Sequence, residues 1–342
     1  ARLRTPDHNM VGRAAAGREG WFGLSLTQYV DQFEKVRRGA GAHTVLLSGE
    51  TFLGAAQPWD YDTEASYRAA AQQVVDRLAT VLSGHEVQVV VYLRRQDHWL
   101  ESAINQAIKF GGLMPPRIAG ADIDTLIDVY RPRLDYETCL RPWREAFGRG
   151  AVSVGVYENL AGEALIADFC RRTGLDRAQL TVPSWDPDNQ NTGLSRDVLE
   201  FKRVLNRIPR PRFEERVTAE TLRRISAEMQ EARGGRAYPL LDGARRRALL
   251  EEAEPGNRVL ASDWLGLPAG TLFAEPWPDP DDDDAYPGLS PEHGTEILLR
   301  YERARYSAAG RARVQRHRLA ELLRKRLPWL HSAARVLRSV AK

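Results

Sequence analysis

The amino-acid sequence predicts an α/β fold: a parallel β-sheet flanked by helices, followed by a helical C-terminal extension. Three observations predict it. Short, valine- and leucine-rich runs that read as buried strands occur at Thr44 to Ser48, Val87 to Leu93 and Val152 to Tyr157. Segments of helical periodicity separate them, the alternation that produces parallel strands joined by helical crossovers. Past Leu160 the strand signals stop and helical patterns continue. On this reading residues 1–210 form the α/β core and 211–342 the extension, with an acidic, proline-rich loop at 275–288 and a basic amphipathic tail.

Taken in order, an amphipathic stretch from Leu26 to Val36 precedes the first apolar run. Tyr67, Ala70, Ala71, Val74, Leu78, Val81 and Leu82 then recur at helical spacing, and Ser83-Gly84 ends that helix. After the second run, Asp97 to Phe110 reads as a helix that Gly111-Gly112 and Pro115-Pro116 stop. Tyr136 to Phe147 is a further helix and leads into the third run. Helices are expected at Glu163 to Thr173, Ser195 to Asn206, Ala219 to Arg233 and Asp242 to Glu254. The run Asp281 to Asp284, set among prolines, reads as a surface loop and not as a metal site. From Pro291 onward the chain is helical and arginine-rich, with apolar positions at Val314, Leu319, Leu322, Leu323, Leu327, Leu330, Val336 and Leu337. Packing against the domain is the expected fate of this tail, and peripheral contact with a membrane surface is the alternative.

Composition excludes several classes. With 342 residues, 43% hydrophobic and 28% charged, the chain is neither disordered nor collagen-like. No window of about 18 apolar residues occurs, so no transmembrane helix is expected. A net charge of +3 gives no overall electrostatic case for nucleic acid. Two cysteines, Cys139 and Cys170, do not make a disulfide scaffold, and a cytoplasmic setting is the default. Of the 49 basic residues only five are lysine, a bias that nucleotide composition explains. The chain opens on Ala1, without methionine or a signal-peptide pattern, and is expected to lack its natural start.

The stretch richest in chemistry is Val89 to Ser102. A buried strand ends on Arg94 and turns directly into a helix, and in open parallel sheets ligands sit beyond the carboxyl ends of strands. Leu100, Ala103, Ile104, Ala107 and Ile108 should face the core, while His98, Ser102, Asn105, Gln106 and Lys109 form the opposite, hydrogen-bonding stripe. A solvated helix face with incidental polar groups accounts for the same spacing.

Arg94 followed eight residues later by Ser102, across a strand-to-helix turn, resembles the 3′-phosphate-binding motif of sulfotransferases that use 3′-phosphoadenosine 5′-phosphosulfate. Ser102-Ala103-Ile104-Asn105-Gln106-Ala107-Ile108-Lys109-Phe110-Gly111 is similar to the bacterial branch that acts on carbohydrates or other small acceptors. So are Leu134-Asp135-Tyr136 before Trp143 and Phe147-Gly148, Tyr157-Glu158-Asn159-Leu160, Asp168-Phe169 and Gly174-Leu175, a likeness that spans roughly Val45 to Asn206. The resemblance implies a P-loop NTPase-like sulfotransferase fold and transfer of a sulfuryl group to a hydroxyl of a small-molecule or glycan acceptor. It places the 3′-phosphate on Arg94 and Ser102, Tyr157 near the adenosine half, and Gln106 and Lys109 with the nucleotide. No metal is implied.

Glu50, at the end of Ser48-Gly49-Glu50, is the expected catalytic base, with His43 the competitor. The sequence departs from the family in one respect. No lysine occurs before Lys35, and no Gly/Lys/Ser/Thr-rich loop follows a first strand. That loop is expected to have been removed from this chain, and a catalytically inactive, sulfotransferase-like binding module for nucleotide, glycan or protein is the alternative.

Overall fold

The computed structural model describes residues 9–18, 24–49, 52–111, 114–160, 162–180, 193–232, 239–267, 270–282 and 285–326. Glu50 and the apolar positions Leu327 to Leu337 lie outside them. The described part is mostly helical, with a small parallel sheet of two strands. The elements are α1 (Asn9–Ala15), α2 (Leu26–Gly39), α3 (Glu64–Val81), β1 (Val89–Leu93), α4 (Gln96–Lys109), α5 (Pro116–Ala119), α6 (Ile123–Tyr130), α7 (Tyr136–Phe147) and β2 (Val152–Val156). They continue with α8 (Glu163–Thr173), α9 (Arg196–Leu205), α10 (Arg212–Ala232), α11 (Gly243–Val259), α12 (Pro291–Tyr306) and α13 (Ala308–Arg326). Contacts divide the chain into two compact units, one of residues 1–96, 129–183 and 251–276, the other of 97–128, 184–250 and 277–342. Among the described residues no helix is long and apolar enough to cross a membrane.

In the first unit β1 and β2 pair in parallel, with Val89 opposite Val152 and Leu93 opposite Val156. The valine-rich runs suit a pleated, covered surface. Val91, Leu93 and Val154 are buried with Tyr136, Leu140, Leu260 and Phe273, each side chain contributing about 1.5–3 kcal/mol. A second cluster joins α1, α2, α3 and α7 through Val11, Tyr29, Phe33, Val74, Leu78 and Trp143. Helix ends are set locally: Ser25 and Gln28 form a capping box at α2, and Asp135 accepts from the Thr138 N–H at α7.

Gly155 lies opposite Tyr92 in the register. A Cβ there would come within 2.6 Å of the Tyr92 ring, so glycine lets that ring cross the neighbouring strand. Tyr92 Oη then donates to Asp168 of α8 at 2.8 Å, and Arg172 of α8 donates to the same carboxylate and to Val154 O. Burial, followed by this bond to a carboxylate, pushes the Tyr92 phenol up to about 12.

The expected first strand is corrected. Thr44 to Ser48 forms no strand. Val45 and Leu46 are 37% and 46% exposed and only Leu47 packs on the core, so the run lacks the two covered faces of a parallel strand.

In the second unit α9, α10, α12 and α13 pack on one another. Val198, Leu199, Leu222, Ile225, Ile297 and Tyr301 are buried there. Charged groups are buried with them. Lys202 donates to Asn206 and Glu215, and Asn206 Nδ2 donates to the carbonyls of Ile108 and Ala119, each at 2.8 Å.

Candidate functional site

The carboxyl end of the two-stranded sheet, in the first unit, carries two of the residues that the sequence singles out, Arg94 and Tyr157. The register carries Leu93 beside Val156, so the next residues, Arg94 of one strand and Tyr157 of the other, emerge together. Parallel pairing is the cause, because both chains leave the sheet at the same edge. After β2 the backbone makes one tight turn, closed by the Leu160 N–H on Tyr157 O at 2.9 Å. That turn brings Glu158 back to β1, where its Oε1 accepts from the Arg95 N–H at 2.6 Å and lies 3.8 Å from Arg94 Nε. Tyr136, at the start of α7, donates its hydroxyl to Arg94 O at 2.6 Å. The backbone at Arg94 and Arg95 is therefore fixed from both sides.

Arg94 and Arg95 meet opposite fates. Arg95 is 2% exposed. Its Nη1 donates to Pro276 O at 2.9 Å and to Glu275 O at 3.3 Å, and its Nη2 lies 3.3 Å from the Glu275 carboxylate. Such a guanidinium is a structural tie. The Arg94 side chain is 42% exposed, and its Nε is buried without a hydrogen bond. Tyr157 is 44% exposed beside it in the register. A fork of N–H donors with one distant carboxylate partner, with a half-exposed tyrosine at the adjacent position of the neighbouring strand, can take an anion carrying a planar group.

The remaining sequence-predicted residues lie on α4 within the second unit. Here one expectation is corrected. Ser102 lies past the first helical turn, because α4 begins at Gln96. The serine is exposed one turn further on, beyond the N–H groups where the helix dipole is concentrated. The stripe of His98, Ser102, Asn105, Gln106 and Lys109 is not one solvated face. Leu100, Ile104, Ala107 and Ile108 are buried as expected and Ala103 is half-buried, but Asn105 at 9% and Lys109 at 1% exposure are buried too. Burial and the nearby Arg223 guanidinium hold the Lys109 ammonium below its usual range. Gln106 is half-buried. The start of the helix is locked by Asp97, which is fully buried and accepts two bonds from Arg246, at 3.0 and 2.9 Å.

The competing base His43 is exposed in the stretch that forms no strand, and Glu50 lies outside the described residues. A cleft of about 260 Å³ between α3 and α7 is lined by Tyr67, Arg68, Val74, Cys139, Pro142 and Trp143, none of them a sequence-predicted site residue. Burial pushes the Cys139 thiol up to about 11, so it is no nucleophile near neutral pH. Among the described residues no group of three or more histidine, cysteine or acidic side chains could hold a metal ion.

Glu158 and Tyr136 belong to the motifs of the sequence resemblance but carried no role there. Glu158 was legible as the second residue past a strand's carboxyl end. Tyr136 was not, since its hydroxyl reaches a backbone carbonyl 42 residues away. No family model, curated protein or solved structure matches this chain.

Proposed function

We propose that the chain is a sulfotransferase of P-loop-like fold, transferring a sulfuryl group from 3′-phosphoadenosine 5′-phosphosulfate to a hydroxyl of a carbohydrate or other small acceptor in the cytoplasm. The observation that carries this reading is Arg94, placed one residue past the carboxyl end of β1 with its side chain 42% exposed and Glu158 as a carboxylate partner only at 3.8 Å. Donors remain for a phosphate, which arginine meets with parallel N–H groups. On the sequence motif Ser102 joins Arg94 on the 3′-phosphate, Tyr157 lies by the adenosine half, and Gln106 stays with the nucleotide. Lys109 fits less well, because an ammonium that is 1% exposed has left the solvent from which a ligand arrives.

The bound nucleotide would supply the activated sulfuryl group. This chain's own part is to orient it through Arg94 and to remove the acceptor's hydroxyl proton, which the reading assigns to Glu50. A carboxylate within hydrogen-bond reach does this. Glu50→Gln should lower turnover by about a hundredfold or more and leave nucleotide affinity unchanged.

A second reading, an inactive binding module, is favoured by the buried Lys109 and the small sheet. Isothermal titration with 3′-phosphoadenosine 5′-phosphate, against the same nucleotide lacking the 3′-phosphate, tests the shared step. Equal affinities would refute both nucleotide assignments. A clear preference without sulfate transfer to any hydroxyl acceptor would leave the binding module.

A further inference from the structure

Helices α12 and α13 carry a surface that the proposed chemistry does not use. Several described arginines on helix surfaces are paired within their own helix: Arg68 with Glu64, Arg141 with Glu137, Arg258 with Glu254, Arg300 with Glu296. The segment Ala308–Arg326 contains one acidic residue, Glu321, among its arginines. Its inner side packs on α10, where His317 lies 3.2 Å from the Glu220 carboxylate and Gly310 is buried. On its outer side Arg311, Gln315, Arg316, Arg318 and Leu319 are exposed, Leu319 at 58%. Arg311, Arg316 and Arg318 have no carboxylate within salt-bridge distance among the described residues.

Apolar groups accompany these cations. Leu299, Arg303 and Tyr306 follow one another at i, i+4 and i+7 on α12, so they share a stripe. All three are exposed, Leu299 at 51% and Tyr306 at 63%. The two stripes meet at the turn between the helices, where Arg311 Nη1 donates to Tyr306 O at 2.5 Å.

We propose that this face docks on a membrane surface rich in anionic phospholipid. Phosphodiester and carboxylate headgroups would take these guanidinium groups, which have no carboxylate partner among the described residues. The acyl boundary just beneath would take Leu299, Leu319 and the Tyr306 ring, over which the Arg305 guanidinium lies at 5.8 Å. Nucleic acid offers the phosphates but nothing for the leucines, and stacking on single strands needs a series of aromatic rings where this face has one. The contact would be peripheral.

Flotation of the full chain with vesicles tests this, using phosphatidylcholine alone and phosphatidylcholine mixed with phosphatidylserine. Binding is expected to the mixed vesicles and not to the neutral ones, and it should fall as salt rises. The triple variant Arg311→Glu/Arg316→Glu/Arg318→Glu should bind the mixed vesicles about a hundredfold more weakly or worse, at an unchanged thermal midpoint. Leu299→Ser/Leu319→Ser should weaken binding less and keep its salt dependence. The proposal is overturned if the chain ignores both vesicle types or binds them equally, or if the triple variant floats like the wild type. It is also overturned if a single-stranded oligonucleotide or polyglutamate competes the chain off mixed vesicles at concentrations below those of the lipid.

Discussion

Two polar regions of this molecule, each within its own compact unit, use charge in opposite ways. In one, Lys202 is fully buried, donates to Asn206 and Glu215, and has Asn206 tied to two backbone carbonyls. In the other, Arg94 stands half-exposed at the sheet edge with a carboxylate at 3.8 Å. Lys202 satisfies its donors internally, and its region shows how the fold closes. Arg94 keeps donors facing solvent, and its region is where an anion gains most by arriving. The number of charged residues does not distinguish the two. Saturation does.

The sharpest break of that comparison is Lys202→Met. It removes the nearer of the two cations on buried Glu215 and leaves Arg210 at 3.7 Å, and unfolding in urea should show a loss of about 3 kcal/mol. The double variant Lys202→Met/Glu215→Leu removes that ion pair and should recover part of the loss, the rest reflecting Arg210 left without its carboxylate. A double variant as unstable as the single one would mean that Asn206 and its carbonyls, and not the ion pair, hold the region.

The next effect tests the other side of the contrast. Arg94→Ala should change unfolding free energy by no more than about 0.5 kcal/mol, yet weaken 3′-phosphoadenosine 5′-phosphate by about 1.5–3 kcal/mol, the worth of a hydrogen bond to a charged group. Ser102→Ala should cost less, as a neutral donor does. Arg95→Ala is the control, because its guanidinium ties Glu275 and Pro276: stability should fall by about 1–3 kcal/mol. If Arg94→Ala destabilised the protein as much as Arg95→Ala, the sheet edge would be structure throughout.

Much of this was legible in the sequence. The valine runs became β1 and β2 within two residues of expectation, and α7 and α8 match their expected limits, because alternation, capping residues and terminal glycines are local signals. Where the reading failed, burial decided. Thr44 to Ser48 has the composition of a strand, but its exposed Val45 and Leu46 show that composition does not supply a covered face. Asp242 to Glu254 was expected to stop before Pro255, yet α11 runs on to Val259. Buried Leu249, Leu250, Ala253 and Asn257 outweigh the roughly 3 kcal/mol that an internal proline costs. The polar stripe on α4 divided for the same reason: Asn105 and Lys109 are covered, and Ser102 is not. Periodicity assigns a residue to a face and is silent on what covers that face.

The smallest expected effect concerns a surface charge that is well paired. Glu34 of α2 accepts from Arg37 through both carboxylate oxygens, at 2.9 Å to each, and has Arg38 at 3.6 Å and His85 at 3.2 Å. The hydrogen bonds from Arg37 are the main reason that its carboxyl falls from 4.5 to about 2. A folded-state pKa below the unfolded one means that the carboxylate stabilises the fold fully above about pH 5, and that this contribution is lost as pH falls from 4.5 towards 2. Thermal midpoints of wild type and Glu34→Gln, measured from pH 7 to pH 2, should differ by a small constant amount above about pH 5 and converge by about pH 2. Added salt should narrow the gap at pH 7, since exposed pairs are screened. A gap that persisted at pH 2 would mean that the Glu34→Gln substitution disturbs packing and that the charge is incidental.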